Sequence, residues 1–293
     1  MKVGSQEISI SNRDKVLFPE SGITKGDLVD YYNRVSECML VHLEGRPISM
    51  HRFPDGIEEE DFYQKQKPDY FPEWIEDVEV SKKGDGTSVQ VVCDDRASLV
   101  YLANQACITI HTWLSRSGNL NHPDRIVFDL DPPGTDDGFD EVIFGALKLK
   151  EVLADSGLEP FVMTTGSKGL HVTVPIERTV DFEDSLSFSK RVAEHLASRH
   201  DDRLTVEQRK AKRGDRVYID TYRNSYAQTT VAPYSVRAIE GAPVATPLEW
   251  KELDRDIGPR KYHIKNILRR LGHKNDPWNE IDGMSARVDP SSL

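Results

Sequence analysis

The hydrophobic positions of this chain change period several times, and the changes outline its elements. Residues 1–12 (MKVGSQEISISN) alternate every second position, as one strand would. Asn12-Arg13-Asp14-Lys15 turns into the short apolar run Val16-Leu17-Phe18-Pro19. Thr24 is placed to N-cap a helix whose Leu28, Tyr31, Tyr32, Val35, Met39 and Leu43 share one face, with Gly45 as its stop. Pro47 to Phe53 predicts a strand closing on basic residues, followed by the turn Pro54-Asp55-Gly56. The stretch 61–67 (DFYQKQK) sets adjacent aromatics among lysines. Val89 to Cys93 predicts a strand, Ser98 to Ala106 a short helix, and the strand after it ends at His111.

The most informative stretch is Arg125 to Pro133, RIVFDLDPP. Ile126, Val127 and Phe128 read as a buried strand that closes on two aspartates. Strand side chains alternate faces, so Asp129 and Asp131 point one way and Leu130 the other. Pro132-Pro133 cannot continue the ladder and stops the strand where the carboxylates emerge.

Beyond it, Phe139 to Leu153 is an amphipathic helix closed by Gly157. Phe161 to Thr164 predicts a strand, Thr165 to Gly169 a loop, and Leu170 to Val174 a further strand. A helix is expected from about Ser185 to Arg199, then a strongly basic stretch from Arg203 to Arg216. Val217-Tyr218-Ile219-Asp220 is another apolar strand ending in aspartate, Thr229 to Arg237 is extended, and Tyr262 to Leu271 reads as a basic helix. Repeats, low-complexity runs and linkers are not evident, which predicts a single domain over residues 1–293. Strands and helices alternate without a strict βαβ rhythm, so the expected class is mixed α/β.

Composition narrows the partners. Lys and Arg number 38 against 49 Asp and Glu, a formal charge of −11. That balance disfavours a nucleic acid, whose phosphates are bound mainly by Lys and Arg. Net charge is not the local field, however. Arg209, Lys210, Lys212, Arg213 and Arg216 form one basic cluster, and Lys261, Lys265, Arg269, Arg270 and Lys274 another. Either is a solvated face or a track for DNA. Cys38, Cys93 and Cys107 give neither a disulfide framework nor a zinc pattern and suit a reducing compartment. Nothing reads as a signal peptide or a membrane-spanning run. The expected location is cytoplasmic, with no membrane partner.

Three features carry chemistry. Asp129 and Asp131 are like charges on one strand face, unfavourable together unless a cation lies between them. Asp220 ends a strand of the same character, and three carboxylates can hold two Mg²⁺ or Mn²⁺ ions for an in-line phosphoryl displacement. The loop Gly166-Ser167-Lys168-Gly169 can curl its N–H groups round an anion, with a hydroxyl and a positive charge added. The same four residues would suit an ordinary hairpin turn, and they lack the Walker A spacing. His171 faces the same side as Gly169. Arg237, closing TTVAPYSVR, is a surface cation or a clamp on a triphosphate.

Taken in order, the blocks NRDKVLFPESGITKGDLVDYY, FDLDPP, TTGSKGLHVTVP, VYIDTYRNSYAQTTVAPYSVR and LEWKELD run nearly end to end. In that order and spacing the chain resembles the polymerase domain of prokaryotic non-homologous end-joining ligases (the LigD-type polymerase domain), within the archaeo-eukaryotic primase superfamily. The resemblance implies a primase-polymerase fold: two mixed or antiparallel β-sheets flanked by helices, with the active site in the cleft between them. It implies that Asp129, Asp131 and Asp220 are the metal-binding carboxylates of a two-metal Mn²⁺ or Mg²⁺ site. Ser167, Lys168, Gly169 and His171 fall on the motif that holds the incoming nucleotide's phosphates. Arg237 matches a triphosphate clamp, and Arg52 and His111 match further nucleotide neighbours. Gln228 stands where some relatives carry lysine. Asn12, Lys15 and Lys25 align with a pocket for the 5′-phosphate of a DNA gap, and Phe62 and Tyr63 with aromatics that stack on the template.

The implied activity is template-directed polymerisation from NTP or dNTP, with ribonucleotides preferred, on gapped or 3′-overhang DNA in break repair. The resemblance covers the polymerase module alone, so the expected partners are a Ku-type protein and a separate ATP-dependent DNA ligase, unless the chain is a fragment of a larger ligase. Rival readings are a primase that starts strands without a primer, a non-catalytic module bridging DNA ends, and a metal-dependent phosphohydrolase.

Overall fold

A capping box sets the start of the first long helix. In the computed structural model, which describes residues 1–82, 84–134, 138–253 and 256–291, Thr24 is extended and its hydroxyl accepts the N–H of Asp27. The Asp27 carboxylate in turn accepts the N–H of Thr24 at 2.8 Å. The helix runs Lys25–Leu43 and buries all six residues of the expected stripe. Gly45, at φ +66°, supplies the left-handed residue that lets the chain leave it.

By its internal contacts the chain divides into two units, each assembled from three separate stretches. The first takes Met1–Gly118, Thr229–Ala245 and Tyr262–Asp276. Its four-stranded sheet has the order Thr229–Val231, Cys107–Trp113, Ile48–Arg52, Phe62–Gln64, antiparallel throughout. The helices Lys25–Leu43 and Arg96–Asn104 share one apolar core with the inner strands of that sheet.

The second unit takes Asn119–Gln228, Thr246–Lys261 and Pro277–Leu293. Its six-stranded sheet has the order Leu204–Thr205, Val217–Asp220, Arg125–Asp131, Leu170–Pro175, Phe161–Thr164, Thr246–Leu248. Only the Leu204–Thr205 pairing is parallel. The helices Phe139–Asp155 and Phe182–Arg199 pack on this sheet. The Trp278 indole is buried and donates to the carbonyl of Val162 at 3.1 Å, fastening the last stretch to the strand Phe161–Thr164.

The class is the mixed α/β arrangement expected, and several local readings change. Residues 1–12 do not form one strand: Gly4, at φ +59°, reverses the chain so that Lys2–Val3 pairs with Gln6–Glu7. The strand expected at Val89–Cys93 lies at Thr87–Val91 and pairs with Asp77–Ser81, a short alternating strand that was not expected. The helix Phe182–Arg199 starts three residues early because Asp181 caps it, accepting the N–H groups of Glu183 and Asp184. Only Ile267–Leu271 of the expected basic helix is α-helical. Tyr262 and Ile264 instead give their backbone groups to Val244 and Ala242. Among the described residues no helix is long and apolar enough to cross a membrane.

Candidate active site

The strand Arg125–Asp131 is the centre of the six-stranded sheet and extends through both aspartates. Ile126, Phe128 and Leu130 are fully buried on one face, whereas Asp129 and Asp131 are only partly buried on the other. Antiparallel register then builds the site sideways. Asp129 stands directly opposite Asp220 on one neighbour and opposite His171 on the other, and Asp131 stands opposite Tyr218. Directly opposed residues share a face, so three carboxylates and an imidazole lie on one side of three adjacent strands. His171 Nε2 is 3.4 Å from Asp129 Oδ1, and Arg223 Nε is 3.9 Å from the other carboxylate oxygen.

Asp220 sits where its strand stops pairing, and two devices fix that end. The N–H of Tyr222 donates to Asp220 Oδ1 at 2.8 Å. The fully buried Asn224 side chain accepts the N–H of Val127 and donates to the Val127 carbonyl, both at 2.8 Å. Asn224 replaces the missing strand for one residue of the aspartate strand. The sequence reading missed it, since nothing local marks a side chain whose partner lies far along the chain.

The Gly166–Gly169 loop is locked onto the same strand. A Cβ on Gly169 would lie 2.0 Å from the carbonyl oxygen of Leu130, between the two aspartates, so only glycine fits there. Gly166 adopts φ +67°. Thr165, another residue the reading passed over, organises the interior: its hydroxyl accepts the N–H groups of Ser167 and Gly169, each at 3.3 Å. Arg260 Nε donates to the Ser167 carbonyl at 2.8 Å. Two of the N–H groups expected to cradle an anion thus bond inside the loop. The Lys168 side chain instead lines a cavity of about 180 Å³ with Asp131, Lys210 and Arg213.

Electrostatics separate Asp131 from an ordinary strand-end acid. Burial pushes the Asp131 carboxyl up to about 6, Asp129 and Asp220 push in the same direction, and Arg213 and His171 oppose them. Tyr218 is pushed up to about 12 by burial and by Asp220. Arg213 lies over the Tyr218 ring, 3.8 Å from its centroid, and donates to the carbonyls of Glu207 and Gln208. An all-oxygen donor set in which two carboxylates raise the proton affinity of a third is chemistry that a hard divalent cation relieves. Among the described residues no three His, Cys, Asp or Glu side chains already converge on one ion position. The fit rests on backbone register and donor type.

The remaining expected residues belong to the first unit, apart from Gln228, which is half-buried at the end of the second. His111 lies on Cys107–Trp113 opposite Ser49 and Val231. Arg237 is half-buried, and its N–H donates to the Pro243 carbonyl. Arg52 is buried, and all three guanidinium nitrogens donate within the protein. Asn12 is exposed at φ +48°. Lys15 pairs with Asp55, and Lys25, 5% exposed, donates to Ser11 Oγ at 2.9 Å and to the Asn104 carbonyl at 3.1 Å. Burial, and then the charge of Lys15, hold the Lys25 ammonium below the usual lysine range. Phe62 and Tyr63 are exposed on the edge strand. Of the block LEWKELD, Asp254 lies outside the described residues.

Comparison with known proteins converges on one family. Residues 24–278 match the model of the LigD primase-polymerase domain. The multifunctional non-homologous end joining DNA repair protein LigD of Mycobacterium tuberculosis H37Rv is 35% identical over 292 residues, covering 97% of this chain and 38% of its own length. The bifunctional non-homologous end joining protein LigD of Bacillus subtilis is 29% identical over 273 residues, covering 93% of this chain and 44% of its own. The chain therefore spans about two fifths of the length of these curated relatives. The solved polymerase domain of Mycobacterium tuberculosis ligase D, in complex with DNA, superposes with a TM-score of 0.88 at 34% identity, covering 96% of this chain and 100% of that one. A family match over most of the sequence and a shared fold over nearly all of it show the same membership: the chain belongs to the LigD primase-polymerase domain family.

Proposed function

We propose that this chain is a template-directed nucleotidyltransferase that fills gaps and extends 3′ ends during double-strand break repair by non-homologous end joining. It works as a single primase-polymerase domain over residues 1–293. Its relatives are named for end joining, and the solved neighbour is in complex with DNA. The observation that carries the reading is the cross-strand placement of Asp129 against Asp220, with Asp131 on the same face beside a cavity lined by Lys168, Lys210 and Arg213.

Asp129, Asp131 and Asp220 would hold the divalent ions, Mn²⁺ or Mg²⁺. When bound, such ions supply charge stabilisation for the attacking and leaving oxygens of an in-line displacement. The protein's own groups hold and orient. His171 sits 3.4 Å from Asp129 and steadies that carboxylate. Lys168, Lys210 and Arg213 supply positive charge where a polyphosphate's negative charge must be held. Gly169 ties the loop bearing Ser167 and Lys168 to the aspartate strand, so phosphate ligands and metal ligands keep one register. Arg52, His111, Gln228 and Arg237 are assigned to the nucleotide side by family position. Asn12, Lys15 and Lys25 are assigned to the 5′-phosphate, and Phe62 and Tyr63 to template stacking. A Ku-type end-binding protein and an ATP-dependent ligase activity are the proposed partners, and ribonucleotides the preferred substrates.

The test is extension on gapped DNA with and without the downstream 5′-phosphate, comparing NTPs with dNTPs and Mn²⁺ with Mg²⁺. Incorporation favoured by the 5′-phosphate is expected. Asp131→Ala should lower incorporation on the order of 10³-fold or more while gapped DNA still binds. Strand synthesis without a primer, or nucleotide release without incorporation, would overturn the reading.

A further inference from the structure

The edge strand Phe62–Gln64 sends its two aromatics to opposite faces. Tyr63 stands across from His51, and Phe62 across from Arg52. The side chains follow that register. Tyr63 stacks on the His51 ring at 3.9 Å with 16° between planes, whereas the Arg52 guanidinium lies 5.3 Å from the Phe62 centroid. The Tyr63 face continues into His111, 5.6 Å between ring centroids. Two side chains on opposite faces of one strand do not lie on the same base.

The Phe62 face continues to Tyr70, a residue with no role so far. Arg52 is the hub. Its Nε donates to the Gln105 carbonyl at 2.9 Å, and its Nη1 donates to Gln64 Oε1 at 2.7 Å and to the Tyr70 hydroxyl at 2.8 Å. Tyr70 is also held edge-on by the buried Phe71, ring centroids 5.2 Å apart. The two rings remain in solvent all the same, Phe62 42% and Tyr70 61% exposed. Large aromatics anchored by polar groups and left open are costly decoration on a protein surface unless something flat covers them.

We propose that Phe62 and Tyr70, fixed about the Arg52 guanidinium, form a second stacking site, separate from the Tyr63 face, that takes an unpaired base of single-stranded nucleic acid. Ring faces backed by a buried cation recognise an unstacked base of any identity. The exposed acidic run Glu58 to Asp61 directly precedes Phe62 and repels phosphates. Binding at this site therefore goes to the base and not to the strand's backbone. The proposal rests on the gapped-DNA substrate of the polymerase reading above, which brings unpaired bases to this surface.

The experiment uses the full chain and gapped or 3′-overhang DNA carrying 2-aminopurine at successive unpaired positions. Wild-type protein should change the fluorescence at one position through Tyr63 and at a second through Tyr70. Tyr70→Ala should abolish the second response alone and weaken binding to DNA with unpaired bases on the order of tenfold. Affinity for blunt paired duplex and the slope of affinity against salt should stay unchanged. Tyr70→Phe, which keeps the ring, should retain most of the binding. The proposal is overturned if Tyr70→Ala leaves every fluorescent position as in wild type, or if it weakens blunt duplex equally. A wild-type chain that binds gapped DNA but never incorporates would remove the polymerase reading, while the two stacking responses would still be read from binding.

Discussion

The aspartate face of the six-stranded sheet and the aromatic edge of the four-stranded sheet are held in opposite ways. On the first, backbone register in the middle of the sheet places the side chains, and the charges so placed oppose one another. Asp131 is pushed up to about 6 by burial and by the carboxylates beside it. On the second, the strand is only Phe62–Gln64 at a sheet edge, and side-chain partners do the holding: His51 beneath Tyr63, and Arg52 beside Phe62 and Tyr70. A site that waits for a counter-charge can be rigid and unfavourable alone, because its ligand supplies the compensation. A site that waits for a ring needs faces that stay open and do not turn, and here a charge, Arg52, serves to hold them.

If register is what holds the aspartate face, the largest effect should follow from forcing the loop off it. Gly169→Ala sets a methyl 2.0 Å from the Leu130 carbonyl oxygen. A backbone clash of that kind should cost about 3 kcal/mol or more and lower the melting temperature by roughly 10 °C. A melt near wild type in differential scanning calorimetry would break the register argument. Next comes Asn224→Ala, which leaves the buried N–H and C=O of Val127 without the Asn224 amide. The expected loss is about 2 kcal/mol, read from urea unfolding as a lower midpoint with an unchanged slope. An unaltered midpoint would mean that water replaces the amide.

The smallest effect has the opposite sign. The Asp131 carboxyl binds its proton more tightly folded than unfolded, about 6 against 3.8. Its stabilising contribution is therefore complete below about pH 4 and is lost as pH rises through about 6. Asp131→Asn has no such loss. With a chelator present, it should exceed wild type in stability by about 1–2 kcal/mol at pH 8, with the difference vanishing at pH 4. Equal melting curves at pH 8 would show that the charges on this face do not conflict.

Much of the architecture was legible because sequence-local forces set it. Thr24 with Asp27 marks a helix start, and Phe161–Thr164 and Val217–Asp220 are apolar runs bounded by breakers. The D-x-D alternation located the carboxylates, and the order of the blocks located the family. Asp77–Ser81 alternates polar and apolar residues but offers only two apolar positions, Val78 and Val80, too short a pattern to stand out beside the longer apolar runs. Thr165 and Asn224 escaped because each is defined by a geometry that folding creates: a closed loop for one, a distant strand for the other. Phe62 and Tyr63 were grouped as neighbours in sequence, although strand periodicity alone would have parted them. Tyr70 sits in PDYFPEW, which reads as a turn and gives no hint of the arginine it bonds to.

Both units are threaded from three separate stretches of chain, and this bears on how the protein is made. As the polypeptide leaves the ribosome, the first 118 residues carry three of the four strands of the first sheet but lack Thr229–Val231. They also lack Asp276, whose carboxylate meets the buried His42 at 2.6 Å. The second unit in turn awaits its edge strand Thr246–Leu248 and the buried Trp278. The first unit is incomplete until Tyr262–Asp276 has emerged, and the second until Pro277–Leu293 has. Nascent chains stalled before residue 229 leave both sheets unfinished at once, and a nick between the stretches Thr246–Lys261 and Tyr262–Asp276 separates a piece of each unit from the rest.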